Sequence, residues 1–62
     1  MENNKIIDTP GTYEYRGFLI VTKNKGVVSV VDRYTGSIVM DNEYVQNMEG
    51  LDRCLNIIRN SR

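Results

Sequence analysis

The stretch Phe18–Met40 constrains the fold of this chain most strongly, because it holds three apolar segments separated by two clusters of turn-forming residues. Segments and turns alternate along it as Phe18–Val21, Lys23–Gly26, Val27–Val31, Asp32–Gly36 and Ile38–Met40. Valine and isoleucine favour strands, whereas Asn, Asp and Gly between apolar runs are typical of hairpin turns. The stretch therefore predicts three antiparallel strands joined by two hairpins.

The residues before this stretch allow two interpretations. Thr12–Tyr15 alternates as a half-buried strand does, and Arg16-Gly17 then interrupts the pattern. Glycine inside a strand pattern often marks a bulge, so the preferred interpretation is one long strand from Thr12 to Thr22. Its bulge puts both tyrosines on the face of Phe18. The alternative is an additional tight hairpin at Arg16-Gly17.

The carboxy-terminal third changes from strand to helix periodicity. Its apolar residues recur at steps of three and four, as Met48, Leu51, Leu55 and Ile58. Asn47 is a suitable N-cap, and Glu49 lies in the first turn, where the helix dipole favours a negative charge. We predict a helix over Met48–Asn60. A start near Asn42 is the alternative, but it places Gly50 deep inside the helix, at a cost of about 1 kcal/mol relative to alanine.

Together these elements predict an α+β fold, a three-stranded antiparallel meander with one carboxy-terminal helix packed on one face. Residues 12–62 form the single domain, and residues 1–11 form a flexible arm that ends in the turn Pro10-Gly11. In the alternative, Ile6-Ile7 of this arm covers part of the sheet. The predicted core is Phe18 or Leu19, with Ile20, Val28, Val30, Ile38, Leu51, Leu55 and Ile58.

Both faces of the predicted sheet are apolar, although a sheet with one solvated face should alternate apolar and polar residues. A solitary helix covers only one face, and contiguous exposed apolar patches usually mark interaction sites. We therefore predict a contact surface for a second copy or another protein, formed by Leu19, Val21, Val27, Val31 and Val39. The alternative is that the arm and the tyrosines fold over this face.

Composition argues against catalysis. The chain has no histidine and one cysteine, so neither a Ser-His nor a Cys-His pair can be assembled. Cys54 borders the apolar stripe of the helix and is expected to be a buried, unreactive thiol. The spacing of Asp41, Glu43, Glu49 and Asp52 fits no calcium loop. We expect no catalytic residue, no metal and no cofactor.

Charge and hydropathy define the expected setting of the protein. Eight basic residues balance eight acidic ones, and the longest apolar run is four residues, whereas a membrane span needs about 20. The first seven residues, Met1–Ile7, lack the apolar core of a signal peptide. We expect a cytoplasmic protein with no membrane association and no small-molecule substrate.

Nucleic-acid binding is the alternative function. Basic and aromatic side chains accompany the hairpins, as Arg16, Lys23, Lys25, Arg33 and Tyr34. Three strands, a helix and the Asp-x-x-Thr-Gly turn at Asp32–Gly36 resemble the amino-terminal arm-binding domains of tyrosine recombinases, which implies DNA binding through the sheet. DNA-binding domains usually carry a basic excess, and this chain has none, so we rank this function second.

A further resemblance is carried by the motif Tyr-x-Tyr-Arg-Gly-Phe-x-Ile, at Tyr13–Ile20, followed by the hairpin and helix. This arrangement is similar to short uncharacterised β-β-β-α proteins of phages and mobile elements of low-GC bacteria. The resemblance implies a small non-enzymatic protein that binds a host protein, such as a phage-encoded inhibitor. It identifies no individual binding residue.

Overall fold

A computed structural model describes residues 4–61 and shows an α+β fold, as predicted. In chain order the elements are α1 (Lys5–Asp8), β1 (Gly11–Tyr15), β2 (Phe18–Asn24), β3 (Val27–Asp32), β4 (Ile38–Tyr44) and α2 (Met48–Asn60). The strands form one antiparallel sheet in the order β1-β2-β3-β4. The predicted number of three strands is therefore wrong, because the segment before Phe18 forms a separate strand. No helix among the described residues is long and apolar enough to cross a membrane.

The additional strand results from a tight hairpin at Arg16-Gly17, so the preferred bulge is wrong and its alternative is correct. The φ angles of these residues are 53° and 81°. Two consecutive residues with positive φ reverse the chain with the twist that flanking strands require, and glycine takes such angles without strain. Tyr15 consequently pairs with Phe18. Because paired residues share a face, the predicted position of the tyrosines beside Phe18 is nevertheless confirmed.

Both helices contribute to one hydrophobic core on a single face of the sheet. Buried strand residues Phe18, Ile20, Val28 and Val30 meet Leu51 and Leu55 of α2, all as predicted, together with Ile7, Val45 and Met48. Ile58 is partly buried against this cluster. The helix bounds Met48–Asn60 and the N-cap are confirmed, because the Asn47 side chain accepts a hydrogen bond from the Gly50 backbone at 2.9 Å.

The predicted core position of Ile38 is wrong, since this side chain is 67% exposed. The cause is an extra residue in β4. Ile38 pairs with Val31, but Val30 pairs with Met40, so the register shifts between them. A strand shifted by one residue turns its side chains to the other face, which removes Ile38 from the core and brings Met40 towards it.

The segment predicted to be a flexible arm contains α1 and contacts the sheet. Residues 1–3 lie outside the described part of the chain, and Gly11 already belongs to β1. Ile7 is 1% exposed, and its carbonyl accepts a hydrogen bond from the Gly26 backbone at 2.8 Å. The Thr22 hydroxyl donates to the carbonyl of Ile6 at 2.6 Å. These contacts match the alternative in which Ile6-Ile7 covers part of the sheet, on the helix side.

Candidate interaction surface

The sheet face opposite the helices is the candidate site. Along β2 and β3 the side chains alternate between buried residues on the core face and half-buried residues on the other. Leu19 pairs with Val31, which also pairs with Ile38, and Val27 pairs with Tyr44. Paired residues point to the same side. We define the open face by its six large apolar side chains, Leu19, Val21, Val27, Val31, Ile38 and Tyr44.

The open face remains accessible to solvent. Four of its apolar residues are half-buried, while Ile38 is 67% and Tyr44 71% exposed. The buried residues of both helices belong to the core cluster on the other side of the sheet. No described element therefore packs over the open face. Four of the five residues predicted to form a contact surface lie here, at positions 19, 21, 27 and 31.

The fifth predicted contact residue, Val39, lies elsewhere. It packs against the core and, with Met40 and Ile57, lines a shallow groove of about 310 Å³ between β4 and α2. Strict alternation along β4 placed Val39 on the open face, but the extra residue in this strand turns it towards the helix. Ile38 and Tyr44 join the open face instead. Sequence reasoning missed both, because the irregular register of β4 leaves no periodic signal.

A serine lies at the centre of the open face, and its hydrogen bonds are made inside the molecule. Ser29 pairs with Val21 across the β2–β3 ladder. Its hydroxyl accepts a hydrogen bond from the Asn42 backbone at 3.0 Å and donates to the Asn42 side chain at 3.4 Å. Asn42 has a φ of 53°, within an irregular part of β4. The serine hydroxyl therefore has both of its hydrogen-bond partners on the distorted edge strand and does not require an external partner.

A pair of opposite charges lies at one border of the open face. Glu14, which pairs with Leu19 in the ladder, forms an ion pair with Arg33 of the turn after β3. The two side chains are 62% and 49% exposed, so water screens this pair and its contribution to stability is small. Its effect on recognition is larger, because the pair leaves this end of the face without net charge.

The predicted nucleic-acid contacts are divided between two ends of the sheet. Arg16 and Arg33 lie near the β1–β2 hairpin, whose turn also contacts Tyr34 at Gly17. Lys23 and Lys25 lie at the other end of β2, about 20 Å away for a strand of this length. The sheet therefore does not bring these residues into one basic patch.

A polar network fastens the β1–β2 hairpin to α2 and uses the arginine at its tip. Arg16 donates to Asp52 at 3.2 Å and to the Asn56 side chain at 2.6 Å, and Arg59 donates to the Arg16 carbonyl at 3.2 Å. The Tyr15 hydroxyl donates to Asp52 at 2.7 Å. This hydrogen bond, with burial and the Asp52 charge as lesser causes, raises the pKa of Tyr15. Asp52 therefore joins α2 to this hairpin through both Tyr15 and Arg16.

No protein family, curated protein or solved structure matches this chain. The resemblances to phage proteins and to recombinase domains therefore remain predictions.

Proposed function

We propose that this chain is a non-catalytic protein-interaction module and that the open face is its contact surface. One observation carries the proposal. Six large apolar side chains gather on the sheet face that neither helix covers, while Ser29 at its centre and Glu14 and Arg33 at its border are paired within the molecule. Covering such a face removes apolar surface from water and leaves few polar groups unsatisfied.

The magnitude of this effect supports a contact of moderate strength. Full burial of an aliphatic side chain is worth about 1.5–3 kcal/mol, so a half-buried one retains roughly 1 kcal/mol and an exposed one roughly 2 kcal/mol. The four half-buried and two exposed side chains of one open face therefore give about 8 kcal/mol of favourable free energy when the face is covered. A partner with an equal face doubles this, and association costs about 4–15 kcal/mol. Reversible binding is the expected result.

The chain's chemistry supports the non-catalytic part of the proposal. It contains no histidine, and its one thiol, Cys54, lies on α2, away from the open face. Among residues 4–61, no three side chains suited to a metal ion come together. The resemblance to phage proteins adds a host protein as one class of partner, in which case the module acts as an inhibitor.

Site-specific photo-crosslinking tests which side of the molecule makes the contact. A benzophenone amino acid replaces Tyr44 on the open face, and in a second variant it replaces Ile57 on the groove side of α2. Both side chains are large, apolar and exposed, at 71% and 64%, so they form a matched pair. In cells that make the protein naturally, we expect protein adducts from position 44 alone. Equal adducts from both positions, or none from position 44, contradict the proposal.

A further inference from the structure

We infer that the partner of the open face is a second copy of this chain, joined face to face about a two-fold axis that passes near Val21 and Ser29. This inference rests on the proposed function, since it names the occupant of the same surface. The two sheets then form a sandwich about 10 Å thick, with α1 and α2 on the outside of each layer.

The two edges of the sheet are unsuited to strand addition, which leaves the face as the contact surface. β1 has only five residues, follows Pro10 and carries the charged Glu14. β4 has two shifts of register, a left-handed residue at Asn42 and the exposed carboxylates of Asp41 and Glu43. Short strands, bulges and charges are the features that prevent edge-to-edge pairing in natural sheets.

Charge favours a second copy over a foreign protein. Glu14 and Arg33 neutralise each other beside the open face, and the chain as a whole has a formal charge of zero. Two copies therefore approach without net repulsion. Recognition of a foreign partner typically uses complementary charges, and the Glu14–Arg33 pair leaves none free at its end of the face. Around a two-fold axis the same apolar patch faces itself, so each copy supplies what the other requires.

The available area predicts a reversible dimer. Four strands about 4.8 Å apart, with the longer ones six or seven residues long, make a face of about 19 by 20 Å. Two such faces contribute roughly 800 Å² of flat area, and side-chain relief brings this close to ~1,000 Å², the lower limit for specific interfaces. We therefore expect dissociation in the range of about 10–100 µM, typical of small interfaces.

Sedimentation equilibrium from 1 µM to 1 mM tests the inference. The mass of the wild-type chain should rise from one copy to two. Val31→Asp places a carboxylate inside the interface, two residues along β3 from Ser29, and should weaken association at least about 100-fold. The matched control Ile57→Asp, on the other side of the molecule, should associate as the wild type does. Val31→Thr keeps the shape of the side chain and is the second test variant, used if the Asp variant does not fold. It should weaken association about tenfold.

Chemical crosslinking separates face-to-face from edge-to-edge pairing. In a Cys54→Ser background, a short bismaleimide should link two copies of the S29C variant, whose thiol lies near the proposed axis. It should not link copies of the D41C variant, whose thiol lies on the edge strand. Linkage of D41C alone overturns the face-to-face arrangement.

The outcomes distinguish this inference from the proposed function. A wild-type chain that remains a single copy at 1 mM, while photo-crosslinking from position 44 gives adducts with another protein, refutes the dimer and retains the interaction module. A single copy with no adduct from position 44 refutes both. A dimer that Ile57→Asp disrupts, and Val31→Asp does not, places the interface on the groove between β4 and α2 and also refutes both.

Discussion

Val30 and Val31 are adjacent in β3, and the same substitution at each should have very different effects on the stability of the monomer. Val30 is 0% exposed in the core, whereas Val31 is half-buried on the open face. Threonine has nearly the shape of valine and a similar strand propensity. A Val→Thr substitution therefore tests the surroundings of the side chain. Val30→Thr brings a hydroxyl into the core and should cost about 1–3 kcal/mol of unfolding free energy. Val31→Thr should cost less than about 0.5 kcal/mol.

These values are large on the scale of this protein. A chain of 62 residues is expected to have about 3–9 kcal/mol of stability, so Val30→Thr removes a substantial share of it. Urea denaturation followed by circular dichroism should show a lower midpoint for this variant and an unchanged slope. The protein concentration should be about 1 µM, below the expected dissociation constant, because dimerisation stabilises the folded chain by mass action. Equal losses at both positions, or a larger loss at position 31, would mean that the open face is part of the folding core.

Three further predictions concern the local structure. Gly26→Ala should lower the unfolding free energy by about 1–2 kcal/mol, and by more than Gly17→Ala. Both glycines have a φ of 81°, but only at Gly26 would the added methyl lie 3.2 Å from a backbone atom, the Val45 carbonyl oxygen. Equal losses of unfolding free energy in the two variants would contradict this prediction. Asn47→Ala should lower the unfolding free energy by about 1 kcal/mol, because it removes the N-cap of α2. Thermal denaturation should show this as a lower midpoint, and an unchanged midpoint would argue against the cap. Asp52→Asn should lower the pKa of Tyr15 in an alkaline titration at the tyrosinate absorbance band, because the carboxylate that holds the phenol proton is gone. Since folding raises this pKa, the stability that it contributes is present below the unfolded value of about 10 and is lost as pH rises through the folded value. A Tyr15 pKa that Asp52→Asn leaves unchanged would contradict the assigned cause.

The features that sequence predicted well are those set by local chemistry. Turn residues located the hairpins on either side of β3, and the period of three and four residues located α2 with the correct bounds. The N-cap was recognisable because an asparagine side chain at that position reaches the free amides of the first turn. The open face was predictable because β2 and β3 carry apolar residues on both of their sides.

The features that sequence did not predict depend on contacts between distant residues. Arg16-Gly17 suits a bulge and a hairpin equally well, and the choice between them is made by pairing along the whole of β1 and β2. The positions of Ile38 and Val39 depend on the extra residue of β4 between Ile38 and Met40. A second shift of register, between Met40 and Glu43, is bridged by Ser29 and Asn42. The burial of Ile7 accompanies a contact that is distant in sequence: α1 places the Ile7 carbonyl where it accepts a hydrogen bond from the Gly26 backbone.

The Arg16-Gly17 hairpin and the open face are physically connected. With three strands the sheet would be about 14 Å wide, close to the 10–12 Å diameter of a single helix; the fourth strand brings it to about 19 Å. On the core face, α1 and the tyrosines of β1 share the additional area with α2. The opposite face gains the same width, with Thr12 and Glu14 of β1, and no element among the described residues covers it. The Arg16-Gly17 turn therefore enlarges the open face as it completes the sheet, and this extra width brings the area of two apposed faces close to that of a specific interface.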